Sequence, residues 1–170
     1  MRAFVELPPG VAWDLAPRLS ALPIAALALL LIPLQSTSEE LLFRGYLTQA
    51  LGRMMRSRLL IAVIVALVFG ALHLNTHGSL TIPYYAVFSL ILSAVSLRDE
   101  RLELAIGGHT GVNLFGFAVG NLFGPAAILG EVGTVPFNWA SIAAAAVNGA
   151  LFYGLTRLLV RLCCRPRAAP

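Results

Sequence analysis

The 170 residues carry 58% apolar side chains and only 12% charged ones, a balance far from that of soluble domains. The formal charge of +4 rests on arginines alone, because the chain contains no lysine, and these arginines sit between apolar runs. With no nucleic-acid motif beside them, they read as a membrane-topology signal and argue against a nucleic-acid partner, so residues 1–170 form one integral membrane domain in the lipid bilayer.

Residues 1–17 read as an interfacial lead-in, with Trp13 at headgroup level, and Pro8, Pro9, Gly10 and Asp14 argue against a signal peptide. A first crossing is expected from Arg18 to Gln35, near the ~20 residues a bilayer needs, with Pro23 and Pro33 kinking or ending it. A short second helix follows from Ser38 to Met55, and a third runs from Leu59 to Leu74. After the turn Asn75-Thr76-His77-Gly78, a fourth helix covers Thr81 to Leu97. The fifth, Leu102 to Phe123, is rich in glycine (Gly107, Gly108, Gly111, Gly116, Gly120), which permits close packing of helices. A Gly/Pro loop with Glu131 leads to the sixth, Asn138 to Val160, and the adjacent Cys163 and Cys164 behind it have no metal-binding spacing. The expected fold class is therefore an all-α, polytopic transmembrane helical bundle of about six membrane-embedded helices. Arginine clusters at 53–58, 98–101 and 157–167 alternate with arginine-free loops, which places both termini in the cytoplasm.

One polar stretch interrupts this apolar pattern: Ser36-Thr37-Ser38-Glu39-Glu40-Leu41-Leu42-Phe43-Arg44-Gly45. Glu40 and Arg44 stand at i, i+4 and can pair, leaving Glu39 spare on its own helix. Helix capping is the plain alternative, since Ser36 with Glu39, and Thr37 with Glu40, fit a capping box. It accounts neither for Arg44 nor for two later motifs, Phe69-x-x-x-His73 and His109-x-x-x-Asn113. Counting from the arginine clusters at ~1.5 Å per residue, Glu39, His73, His109 and Asn113 reach about the same depth in three helices. Taken singly, each histidine or asparagine fits a packing role or interhelical glue. Together with a spare carboxylate, they can deprotonate a water and stabilise an oxyanion, enough for acyl transfer to water without a serine or cysteine nucleophile. Asn75, His77, Asn121, Glu131 and Asn148 are not assigned to this set.

The three motifs Glu39-Glu40-x-x-x-Arg44, Phe69-x-x-x-His73 and His109-x-x-x-Asn113, in this order across residues 36–123, resemble those of the CPBP family. These are the CAAX-processing and bacteriocin-processing intramembrane proteases related to the Rce1-type prenyl-protein endopeptidase. The resemblance implies a helical intramembrane endopeptidase acting near the C-terminal region of a membrane-anchored or exported protein. Within it, Glu39 and His73 activate water, His109 and Asn113 form the oxyanion site, and Glu40, Arg44 and Phe69 support them. A metal-free mechanism with no cofactor is preferred. Zinc held by Glu39, His73 and His109 is the alternative, since these are acceptable ligands that leave a position open for water. The chain is shorter than the Rce1-type enzymes, which argues against a prenyl-cysteine substrate. It is similar to compact bacterial, myxosortase-like sorting proteases, which implies an inner (plasma) membrane location. The competing classes are a non-catalytic immunity factor or scaffold of the same fold, and a proton-coupled transporter, which the lack of an internal repeat disfavours.

Overall fold

The computed structural model describes residues 22–74, 80–123 and 138–163. Trp13, Asn75, His77, Glu131, Cys164, Arg165 and Arg167 lie outside them. The described residues form five helices and no strand. The first, α1, runs without a break for 33 residues as α-helix Leu22–Glu40, π-helix Leu41–Leu47 and α-helix Thr48–Met54. Then come α2 (Arg58–Leu72), α3 (Thr81–Asp99), α4 (Glu103–Phe123) and α5 (Trp139–Cys163). Among them α1, α3 and α5 are long and apolar enough to cross a bilayer. By contrast α2 has 15 residues, or about 22 Å of helix, against ~30 Å of hydrocarbon.

The six expected crossings are therefore corrected at the first junction, where the helices expected at 18–35 and 38–55 are one. The physical reason lies in the hydroxyls that suggested a new N-terminus. Thr37 Oγ1 donates to the Pro33 carbonyl at 2.6 Å and Ser38 Oγ to the Leu34 carbonyl at 2.7 Å. These are side chains folded back onto their own helix rather than caps. Pro33 is carried inside α1. With five described helices, an odd number, a cytoplasmic location of both termini no longer follows from counting crossings.

Other boundaries have local causes. Ser57 accepts from the Leu60 amide at 3.2 Å and caps α2. Asn138 Oδ1 accepts from the Ser141 amide at 2.8 Å and starts α5 in the same way. Glu100, left-handed at φ 54°, ends α3 and turns the chain into α4. The π segment arises because the Thr48 amide bonds the Phe43 carbonyl, five residues back, and Thr48 Oγ1 joins it there at 2.8 Å.

Helix α2 packs against α3, α4 lies along α1, and α5 lies along α3. Phe43 of α1 meets Ile61, Val65 and Phe69 of α2 in a buried cluster, with Tyr85 and Phe88 of α3 at its edge. The Phe43 and Phe69 rings meet edge to face at 5.0 Å. Leucines along α1 and α5 face outward, as suits contact with acyl chains rather than water. The expectation of close packing at the glycines of α4 holds at Gly108, where a Cβ would sit 2.6 Å from the Phe152 ring. It does not hold at Gly107, Gly111 and Gly116, which face open space.

Among the described glycines the closest approach to another backbone is at Gly70, where a Cβ would lie 2.7 Å from the Ile82 carbonyl oxygen. Gly70→Val is expected to part α2 from α3 and to cost about 1–3 kcal/mol, read as a lower unfolding temperature in detergent. Gly116→Ala, inside α4 with nothing within 4 Å of its Cβ, is the opposite control and is expected to hold or raise that temperature, by about 0.4–1 kcal/mol of stability.

Candidate active site

The site grows from the face of α1 that holds Gln35, Ser36, Glu39, Glu40 and Arg44. Glu40 is fully buried, and the side chain of Arg44 is 1% exposed. Such groups are tolerated in an apolar bundle only when paired and hydrogen-bonded. Arg44 meets that demand with both terminal nitrogens. Its Nη1 donates to Glu40 Oε1 at 2.9 Å, and its Nη2 donates to the Ser89 carbonyl at 2.8 Å and to Ser89 Oγ at 2.7 Å. The guanidinium also lies 5.4 Å from the centre of the Phe69 ring. The i, i+4 pair read from the sequence is thus present, and it ties α1 to α3.

The same Glu40 oxygen accepts from His109 Nδ1 at 2.7 Å, which brings α4 into the network. A carboxylate only accepts, so this nitrogen carries the proton and Nε2 is directed elsewhere. It lies 3.6 Å from Glu39 Oε2, beyond direct hydrogen bonding. The edges of the Phe69 and Phe88 rings, at centroid distances of 6.0 and 5.1 Å, hold the imidazole in that orientation.

Glu39 Oε1 accepts a hydrogen bond from Gln35 Nε2, one helical turn earlier. Its Oε2 is buried and has no hydrogen-bond partner among the described residues. The Asn113 amide nitrogen, one turn along α4 from His109, reaches Gln35 Oε1 at 3.3 Å and Ser36 Oγ at 3.4 Å. Glu39, Glu40, Arg44, His109 and Asn113 therefore converge.

His73, at the C-terminal end of α2, belongs to an adjoining aromatic stack. Its Nδ1 bonds the Phe69 carbonyl at 2.8 Å, its ring stacks on Tyr85 at 4.1 Å, and the Phe69 ring meets both it and His109, at 4.7 and 6.0 Å. A carbonyl also only accepts, so Nδ1 holds a proton here. Among the described residues no three His, Cys, Asp or Glu side chains gather closely enough to hold a metal ion, so the alternative set Glu39, His73 and His109 is not assembled as a metal site here.

Two contributors were not singled out from the sequence. Gln35 stands at i, i+4 from Glu39, the same spacing that exposed the Glu40–Arg44 pair. Ser89 begins a stripe with Ser93 and Ser96 at i, i+4 and i+7 on an apolar helix, a visible sign of a polar face. Replacing Arg44 by Met is expected to leave buried Glu40 without its counter-charge and to cost about 3–5 kcal/mol in thermal unfolding. Ser89→Ala keeps the carbonyl contact, so its expected cost is about 1 kcal/mol.

Comparison with known proteins adds a family. The family model for Type II CAAX prenyl endopeptidase Rce1-like matches residues 20–115, a span that contains every residue of the site. Protein YyaK of Bacillus subtilis (strain 168), described as uncharacterized, is 33% identical over 97 residues, covering 54% of this chain. The match takes in 32% of that relative, so this chain corresponds to about a third of its length. No solved structure matches the chain.

Proposed function

This chain belongs to the Type II CAAX prenyl endopeptidase Rce1-like family, and from that membership we propose that it is an intramembrane endopeptidase. Its proposed substrate is a membrane-anchored or exported protein, cut near the C-terminal region, and its proposed catalytic core is residues 36–123. The arginine-rich ends of α1, α3 and α5 face the cytoplasm of a bacterial inner (plasma) membrane in this reading.

The observation that carries the reading is the unpartnered Glu39 Oε2, 3.6 Å from His109 Nε2. One water can lie within ~2.8 Å of both atoms. Glu39, with its other oxygen held by Gln35, takes a proton from that water as the oxygen attacks the peptide carbonyl. The carbonyl oxygen becomes an oxyanion beside His109 and the Asn113 amide. Glu40 holds the His109 ring through Nδ1, in the way a buried carboxylate orients the histidine of a catalytic triad. His73, which the motif pattern pairs with Glu39, assists it on the water side in this reading. The proton then passes to the departing amine, completing hydrolysis with one water consumed and no covalent enzyme intermediate. Gly116 shares the face of α4 that carries His109 and Asn113, and its open surroundings leave room for a substrate backbone. The three residues proposed for water activation and oxyanion support, other than His73, rest on one rigid contact between α1 and α4.

Glu39→Gln keeps the shape and removes the base. In a strain carrying this replacement, at least one anchored protein is expected to retain an uncut C-terminal segment by mass spectrometry. With a purified substrate, the cleavage rate is expected to fall by ~10²–10⁴ while the unfolding temperature stays constant. Cleavage at the parental rate by a well-folded Glu39→Gln protein would overturn the proposed chemistry.

A further inference from the structure

At the end of the bundle where the arginines gather, two grooves differ in how their cations are neutralised. The larger, of about 230 Å³, is lined by Arg44, Arg58 and Arg101 among others. Each is paired: Arg44 with Glu40, Arg58 with Glu100 at 3.7 Å and Arg101 with Glu103 at 2.7 Å. The smaller, of about 70 Å³, lies between the C-terminal ends of α3 and α5 and gathers Arg98, Arg157 and Arg161 around Tyr153. Asp99 is the one acid on its lining, so three guanidinium groups against one carboxylate leave a local charge of +2. Among the described residues none of these three arginines forms an ion pair.

Tyr153 organises the cluster. Arg98 Nη1 donates to its hydroxyl at 3.3 Å, and the Arg157 guanidinium lies 5.8 Å from the centre of its ring. Arg157 and Arg161 follow Tyr153 at i+4 and i+8, so all three share one face of α5. The groove is not purely polar, because Val95, Leu104 and Val160 complete its wall. Tyr153 also lines a second groove between α3 and α5, of about 310 Å³, whose walls include Val87, Leu90, Ile91, Ala94, Ala146 and Ala150. A cationic notch therefore adjoins an apolar groove.

We propose that this notch binds the phosphate of an anionic phospholipid, whose acyl chain lies in the apolar groove between α3 and α5. The charge selects an anion, and the adjoining apolar groove selects one that carries a hydrocarbon chain over a soluble phosphate. A topology signal needs only arginines on the correct side of the membrane. It does not require two helices to bring them to one groove, or a tyrosine to hold two of them in place. The proposal is independent of peptide hydrolysis, and its test reads lipid binding.

The full chain, purified in a neutral detergent, is titrated with phosphatidylglycerol, phosphatidylcholine or inorganic phosphate, and retained lipid is measured by native mass spectrometry. Phosphatidylglycerol is expected to be retained and to raise the unfolding temperature, while the other two do neither. Arg98→Gln with Arg161→Gln is expected to weaken retention roughly thirty-fold. Arg53→Gln with Arg56→Gln removes the same charge from the same face of the bundle and is expected to change retention little. Tyr153→Phe, which keeps the ring and removes the hydroxyl that holds Arg98, is expected to give a smaller loss and reports on the groove even if the arginine double variant does not fold. Equal losses in the two arginine double variants would mean diffuse attraction and overturn the site. Stabilisation by inorganic phosphate equal to that by the lipid would overturn its lipid character.

Discussion

The structure depends on one oxygen atom. Oε1 of Glu40, fully buried in α1, receives Arg44 from its own helix and His109 from α4, and the same guanidinium reaches Ser89 on α3. A charge at this depth is tolerated because Glu40 Oε1 and the two terminal nitrogens of Arg44 are paired, so the three helices cannot shift independently without exposing an uncompensated ion. The apolar contacts around it are interchangeable by comparison. Leucine for leucine, the faces of α1 and α5 could be redrawn without loss of specificity, whereas the Glu40 network fixes one mutual arrangement.

That constraint separates support from chemistry. Of two adjacent carboxylates, one is consumed in holding helices together and the other is left half free, with an oxygen turned toward an imidazole whose orientation the first has set. Neighbouring positions on a helix point about 100° apart, so the pair Glu39-Glu40 can serve two environments at once. The π segment that follows belongs to the same design. It changes the rotation between the Glu39-Glu40 turn and the last turn of α1, and it sits where the backbone passes Phe43, beneath the core cluster.

Much of this was legible in the sequence. Hydrophobic runs and arginine clusters locate α2 to α5 within a few residues, and i, i+4 spacing exposes the Glu40–Arg44 pair and the shared face of His109 and Asn113. The junction near Ser36 was misread because a Ser-Thr-Ser-Glu-Glu run has the composition of a helix start, and only tertiary context turns its hydroxyls back onto Pro33 and Leu34. The link from His109 to Glu40 spans 69 positions and has no local signature. The structure also sorts the two histidines. His109 stands inside the buried network, and His73 stands in an aromatic stack one ring away.

The brevity of α2 has an effect on the lipid around it. Its 15 residues cover about two-thirds of an average hydrocarbon slab, so neighbouring acyl chains must tilt or compress to avoid leaving its ends bare. A bilayer that conforms to α2 is thinner on that helix's flank than elsewhere around the bundle. In the proposed reading, an extended peptide segment entering there meets a shallower hydrocarbon barrier.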